Sequence, residues 1–299
     1  MITRTSNLMM ARNAQQNLQA NMSRLAKLQE QAHTSAAITR PSDDPAGTAD
    51  ALKVRGEIRA NTAYKGNISD ANSWLATLDN ALTRTNDILT RIKDLSITAA
   101  TATTTAASKA SIATEIEGLK SDLITQANTS YLGRTIFAGN SDAGAAVVEN
   151  PPVPPATAST YTFTGAGDGP VSRRIDASTT VRVDASAAEV FGDVFTKIDS
   201  LVTDLRANAS ISSHLAAIDE SINTVLTAQT DVGIRHARVL KAEETNVEQS
   251  VSLETRRSGI EDLDTAQVIL DLKLQELAYQ SSLAVTAKVL QPTLMDFLR

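Results

Sequence analysis

Asp43 and Asp44 are the first residues in this chain whose types and spacing invite a chemical reading. Adjacent carboxylates serve acid–base chemistry when their surroundings drive their pKa values apart. Here they stand in Pro41-Ser42-Asp43-Asp44-Pro45-Ala46-Gly47, immediately before a helical run. Asp44 as N-cap with Pro45 at the first helical position accounts for the arrangement as a helix start. His33, His214 and His236 stand too far apart for a metal box, and none has a partner in the registers that ligate zinc. Gly165-Ala166-Gly167-Asp168-Gly169 loosely resembles a phosphate-cradling loop, but no Gly-Lys-Ser/Thr follows, so it reads as a β-turn. Arg173-Arg174 and Arg256-Arg257 read as solvated faces. No nucleophile, base and oxyanion site assemble. The expectation is no enzyme, no catalytic residue, no cofactor and no metal.

The chemistry being sparse, the elements carry the information. The chain has 299 residues, of which 42 % are hydrophobic but only 3 % aromatic. Few rings and much Ala, Leu, Ile and Val suit long helices packed side by side rather than a compact sheet core. With no cysteine, disulfides, thiol catalysis and Cys-ligated zinc are excluded. A net charge of −6 with both signs interspersed argues against a nucleic-acid or acidic-membrane partner. No apolar run approaches the roughly 20 residues of a membrane span. The start, Met1-Ile2-Thr3-Arg4, lacks the basic and apolar regions of a cleaved signal, so none is expected.

Ile68, Ala71, Leu75, Leu78, Leu82, Thr85, Leu89 and Ile92 recur in alternating steps of three and four, the mark of a coiled-coil-like seam. A shorter seam (Ile112, Ile116, Leu119, Leu123) follows a Thr/Ala-rich hinge at Thr98–Ser108. The seam of a second long helix includes Ile211, Leu215, Ile218, Ile222, Val225, Gln229, Val232, His236 and Val239, and later Leu253 and Ile260. Between them, Pro and Gly punctuate short alternating runs at Tyr161–Phe163, Ser172–Asp176 and Thr180–Asp184, which read as strands. The fold class is therefore mainly α with a small β domain. Both chain ends supply a long antiparallel coiled-coil-like bundle, with a β-rich insertion in the middle. The expected divisions are an N-terminal assembly helix (1–40), helical core (41–134), β-rich insertion (135–195), helical core again (196–262) and a C-terminal assembly helix (263–299).

At the ends, Leu18, Met22, Leu25, Leu28 and Ala32 form one stripe, while Leu263–Leu298 is apolar nearly all round, with Leu270, Leu274 and Leu277 prominent. Such a helix needs more burial than a chain of this shape offers, which implies a partner chain, the alternative being an intramolecular helical bundle. The packing and assembly positions are thus Leu18, Leu25, Leu28, Leu75, Leu78, Leu82, Leu89, Ile92, Leu270, Leu274, Leu277, Leu294, Phe297 and Leu298. Pro292 should end or kink the closing helix near Leu290.

The block Arg40–Gly47 with Ala51-Leu52 and Ile58 resembles the flagellin superfamily, as do Asn72–Leu95 and the closing run Gln280–Val289. The likeness covers about residues 3–140 and 217–299. That family has a Ser-Thr-Gly-Lys-Arg-Ile run ahead of the Pro-Ser-Asp-Asp block, where this chain has Ser35-Ala36-Ala37-Ile38-Thr39-Arg40. Gly133–Asn140, around Phe137, and the tail Gln291–Arg299 are similar to the branch that joins hook to filament. The resemblance implies a structural subunit of the bacterial flagellum, outside the cell and exported through the flagellar type III apparatus. It further implies self-association in the flagellar axis, contact with a hook-side junction protein and with flagellin, and cover by a flagellar export chaperone before assembly. The other reading is the flagellin filament subunit itself.

Overall fold

The computed structural model of the chain describes residues 2–101, 104–152, 158–165 and 169–290, with side chains near the two ends described at residue 9 and from 12 to 288. Seven helices and six short strands follow in order. They are α1 (Ile2–Thr34), α2 (Pro45–Ala100), α3 (Ala106–Ala127), β1 (Ser130–Tyr131), β2 (Arg134–Thr135), β3 (Val147–Asn150), β4 (Thr160–Phe163), β5 (Ser172–Arg174), β6 (Thr180–Arg182), α4 (Ala187–Phe191), α5 (Val194–Arg206), α6 (Ser212–Glu261) and α7 (Thr265–Leu290). The strands pair antiparallel as β1–β2, β3–β4 and β5–β6. The chain divides into two units, one of residues 1–60 with 249–299, the other of residues 61–248.

In the larger unit the seam of α2 is buried throughout: Ile68, Leu75, Leu78, Leu82, Leu89 and Ile92 are all at most 2 % exposed. Ile218, Val225, Val232 and Val239, seven apart on α6, lie in the same core. Polar contacts fix the direction of the pairing. Asn61 meets Asn246, His236 Nε2 lies 2.6 Å from Asn72 Oδ1, Gln229 donates to Thr83 Oγ1 at 3.0 Å, and Lys93 pairs with Asp219 at 2.7 Å. As residue numbers rise along α2 they fall along α6, so the two helices run antiparallel. Neither helix could bury such a stripe alone. α3 is capped by Thr105, whose hydroxyl oxygen accepts from Ser108 N at 3.2 Å.

Among the described residues the strand-rich block does not form one sheet. Three separate hairpins are instead held by aromatic and ionic contacts to the helices. Phe137 meets Phe191 edge-on at 5.2 Å, and Tyr161 stacks on Phe195 at 5.0 Å. Arg173 of β5 pairs with Asp70 of α2 and lies over the Trp74 ring. Helix α4 and the first turn of α5 fall inside the span expected to be β-rich, and β1–β2 precedes it.

The smaller unit contains α1, the first turns of α2, the last turns of α6, and α7. α1 packs against α7. Arg55 grips Glu261 with two hydrogen bonds of 2.6 and 2.9 Å, and Arg256 reaches Glu57 at 3.2 Å.

Candidate assembly surface

The block Arg40–Gly47 shows what its two carboxylates do. Asp44 Oδ1 accepts from Gly47 N at 2.9 Å, capping α2, which starts at Pro45. Asp43 turns the other way and accepts from Thr39 Oγ1 at 3.0 Å. That hydrogen bond, helped by the Lys27 charge against slight burial, holds its carboxyl below the usual range. The pair is divided between a cap and a loop tie. The segment that enters this block leaves α1 through Ser35, at φ 54°, and bridges to Asp262 in the break between α6 and α7. Ala37 N donates to Glu261 O at 2.8 Å.

The histidines are equally local. His33 is exposed in the last turn of α1, and His214 Nε2 lies 2.7 Å from Asp204 Oδ2. Among the described residues no group of three or more His, Asp or Glu could hold a metal ion.

The terminal helix pair has the most distinctive surface. The face of α7 turned towards α1 is mixed in character: Gln275 Nε2 donates to Asn21 O at 3.2 Å, and only Val268 is fully buried. Leu18, Leu25 and Leu28 of α1 are half-buried there, while Met22, expected on the same stripe, is 60 % exposed. A mixed face towards α1 sends the leucines of α7 outward. Leu270, Leu274 and Leu277, spaced four and three, form one row on which every side chain is more than half exposed. Ile269 and Val285 are exposed as well. These side chains form an apolar strip that is exposed in the single chain. Leu294, Phe297 and Leu298, with Pro292, lie outside the described residues.

Several residues that matter to the architecture carry no motif. Lys120 of α3 donates to Glu149 Oε1 at 3.0 Å, Asp199 Oδ1 at 2.8 Å and the Tyr161 hydroxyl oxygen at 3.1 Å, satisfying its three N–H donors. Burial opposes its charge, but the bonds to Asp199, Tyr161 and Glu149 together outweigh that and raise its pKa. Tyr161 donates in turn to Asp199 Oδ2 at 2.6 Å. This cluster ties the β3–β4 hairpin to α3 and α5. Its members are scattered along the sequence, and no spacing rule could have gathered them.

Comparison with known proteins places both chain ends. The model of the bacterial flagellin N-terminal helical region matches residues 5–142, and that of the bacterial flagellin C-terminal helical region matches residues 215–298. The flagellar hook-associated protein 3 of Salmonella typhimurium is 23 % identical over 286 residues, covering 86 % of this chain and 87 % of that protein. A flagellin of Bacillus subtilis is 26 % identical over 303 residues, covering 94 % of each. Among solved structures, a flagellar hook-associated protein from Vibrio parahaemolyticus superimposes with a TM-score of 0.63 at 19 % identity, covering 74 % of this chain and all of that one.

Proposed function

The chain belongs to the bacterial flagellin family, and on that premise we propose that it joins the hook side of the flagellum to the flagellin filament, its terminal helices packing against those of neighbouring subunits. Members of this family are structural proteins, not enzymes. The observation that carries the reading is the outward row Leu270, Leu274 and Leu277 on a helix already paired with α1. A monomer gains nothing from that arrangement. A tube of packed subunits buries the row on every copy. The likeness to a hook-associated protein 3 across both ends favours the junction over the filament body.

On this reading the neighbours are a hook-side junction protein (hook-associated protein 1), flagellin and further copies of the chain. A flagellar export chaperone covers the apolar C-terminal end until the chain is exported. No helix among the described residues is long and apolar enough to cross a membrane. The likeness to flagellin keeps one rival alive, the bulk filament subunit. Immunogold electron microscopy of intact hook–filament assemblies separates the two. Antibody to this chain should mark a short band between hook and filament. Label along the whole filament would make the chain a flagellin, and no label on the axis would refute both.

A further inference from the structure

Helix α6 presents two rows of side chains, one position apart. Val225, Val232 and Val239 turn into the core, while Leu226, Gly233 and Leu240 turn to solvent. Leu226 is 41 % exposed, Leu240 49 %, and Val247, the next member of the outer row, 52 %. Between the two leucines that face holds Thr230, Gly233 and Ala237, all exposed and none of them charged. An apolar row spaced by sevens is the pattern of a helix that meets another helix, yet no described element of this chain covers it.

Nothing in the chain requires a glycine at 233. The backbone there is helical, and a Cβ added to it meets no atom within 4 Å. Glycine is a poor helix former, so alanine would suit an isolated helix better. In the middle of an exposed apolar row, its use is to let another backbone come close. The row is also symmetrical about it: Leu226 stands seven residues before Gly233 and Leu240 seven residues after. A two-fold contact requires a surface that complements itself, and this one does. When two copies of α6 cross antiparallel at Gly233, Leu226 of each meets Leu240 of the other. A parallel pair would instead bring Glu244, bonded to Lys241 at 2.6 Å on the same face, up against its own copy.

We infer that the free chain pairs with a second copy through the outer row of α6, antiparallel and crossing at Gly233. One helix crossing is small beside the roughly 800 Å² per partner that stable interfaces bury, so the pair is weak and depends on concentration. Subunits stacked along one axis point the same way, whereas these two chains point in opposite directions. The pair is therefore a state outside the axis, and it parts before a chain is built in. It stands apart from the junction reading and does not depend on it.

The absence of native cysteine allows a direct test on the full chain. A Leu226→Cys preparation is mixed under mild oxidation with a Leu240→Cys preparation enlarged by a tag. The mixed disulfide dimer should exceed either self-paired dimer by several-fold. Gly233→Leu, introduced into both preparations, fills the crossing point where the chain itself leaves room. It should cut the mixed yield several-fold while the melting temperature holds or rises. Self-paired dimers equal to or above the mixed one would mean a parallel or random contact and overturn the inference. A mixed yield unchanged by Gly233→Leu would overturn it as well. The immunogold band between hook and filament is expected whichever result is obtained, so the two readings fail separately.

Discussion

Asn61 on α2 and Asn246 on α6 each donate a side-chain amide to the other's backbone carbonyl, at 3.3 and 3.0 Å, in a buried position of the long helix pair. A buried amide that loses its partner costs about 1–3 kcal/mol, so any slip of one helix along the other is penalised at this site. Elsewhere the seam is mainly apolar, repeating every three or four residues, with Thr85 and Ser221 also buried and His236–Asn72 and Gln229–Thr83 adding polar contacts beside it. A buried pair of reciprocal amide bonds is a known kind of device for setting register in coiled coils, at some cost in stability. Replacing both residues by leucine should therefore leave the melting temperature unchanged or higher while loosening the register. Spin labels at Ser69→Cys and Arg238→Cys report this directly, since no native cysteine competes. One sharp distance is expected for the parent and a broadened distribution for the double-leucine variant. A single sharp distance in both would show that the asparagines do not set the register.

Ser35 takes the left-handed backbone at the end of α1, with φ 54°. The family's run ahead of the Pro-Ser-Asp-Asp block contains a glycine, the residue that adopts this conformation without crowding. Ser35→Gly should raise stability by about 0.5–1 kcal/mol, the relief of left-handed strain less the entropy added to the unfolded chain. Thermal unfolding measures it. A lower melting temperature would mean that Ser35 contributes a contact beyond the turn.

Gly47 stands at the third position of α2, where a Cβ would press on the Asp44 carboxylate and the tip of Ile38. Asp44→Ala should cost about 1 kcal/mol through the lost cap. Gly47→Ala should displace the same carboxylate, so part of its cost is that cap. The double variant is then expected to be destabilised by less than the sum of the two single variants. Strict additivity would separate the glycine from the cap.

Glu261 links pH to the crossing near the break between α6 and α7. The hydrogen bond from Arg55, assisted by Arg257 and opposed by burial, holds its carboxyl below the usual range. A carboxyl with a depressed pKa in the folded state stabilises above its unfolded pKa, near 4.3, and loses that contribution as pH falls through the folded value. Glu261→Gln lacks the titration. The gap in melting temperature between parent and variant should be widest near neutral pH and close at about pH 3. A gap that stays constant over that range would show that the ion pair does not stabilise the fold.

How much of this was open to a reading of the sequence depends on whether the pattern selects one direction. The steps of three and four from Ile68 to Ile92 select a single face of α2, and that face is buried. Asp44-Pro45 marks the start of α2 because a cap and a φ-fixed first residue act locally. α7 is different. Being apolar on most sides, it has no period that says which face turns inward, and its contact with α1 mixes the Gln275–Asn21 hydrogen bond with half-buried leucines of α1. β4, β5 and β6 are legible from their Gly and Pro boundaries, whereas β1, β2 and β3 are not marked by such runs, and the separation into three pairs depends on distant groups such as Lys120, Asp199 and Trp74. Asn61 and Asn246 are 185 positions apart, and nothing local marks either as a partner.

The central claim is that this chain is the adaptor on which the flagellin filament is built. Flagellin in the culture medium of a strain lacking the chain tests it most directly. The account predicts complete hooks without filaments, unassembled flagellin accumulating outside the cells, and recovery of filaments when the chain is restored. Normal filaments in that strain, or bare hooks with no flagellin released, would contradict it.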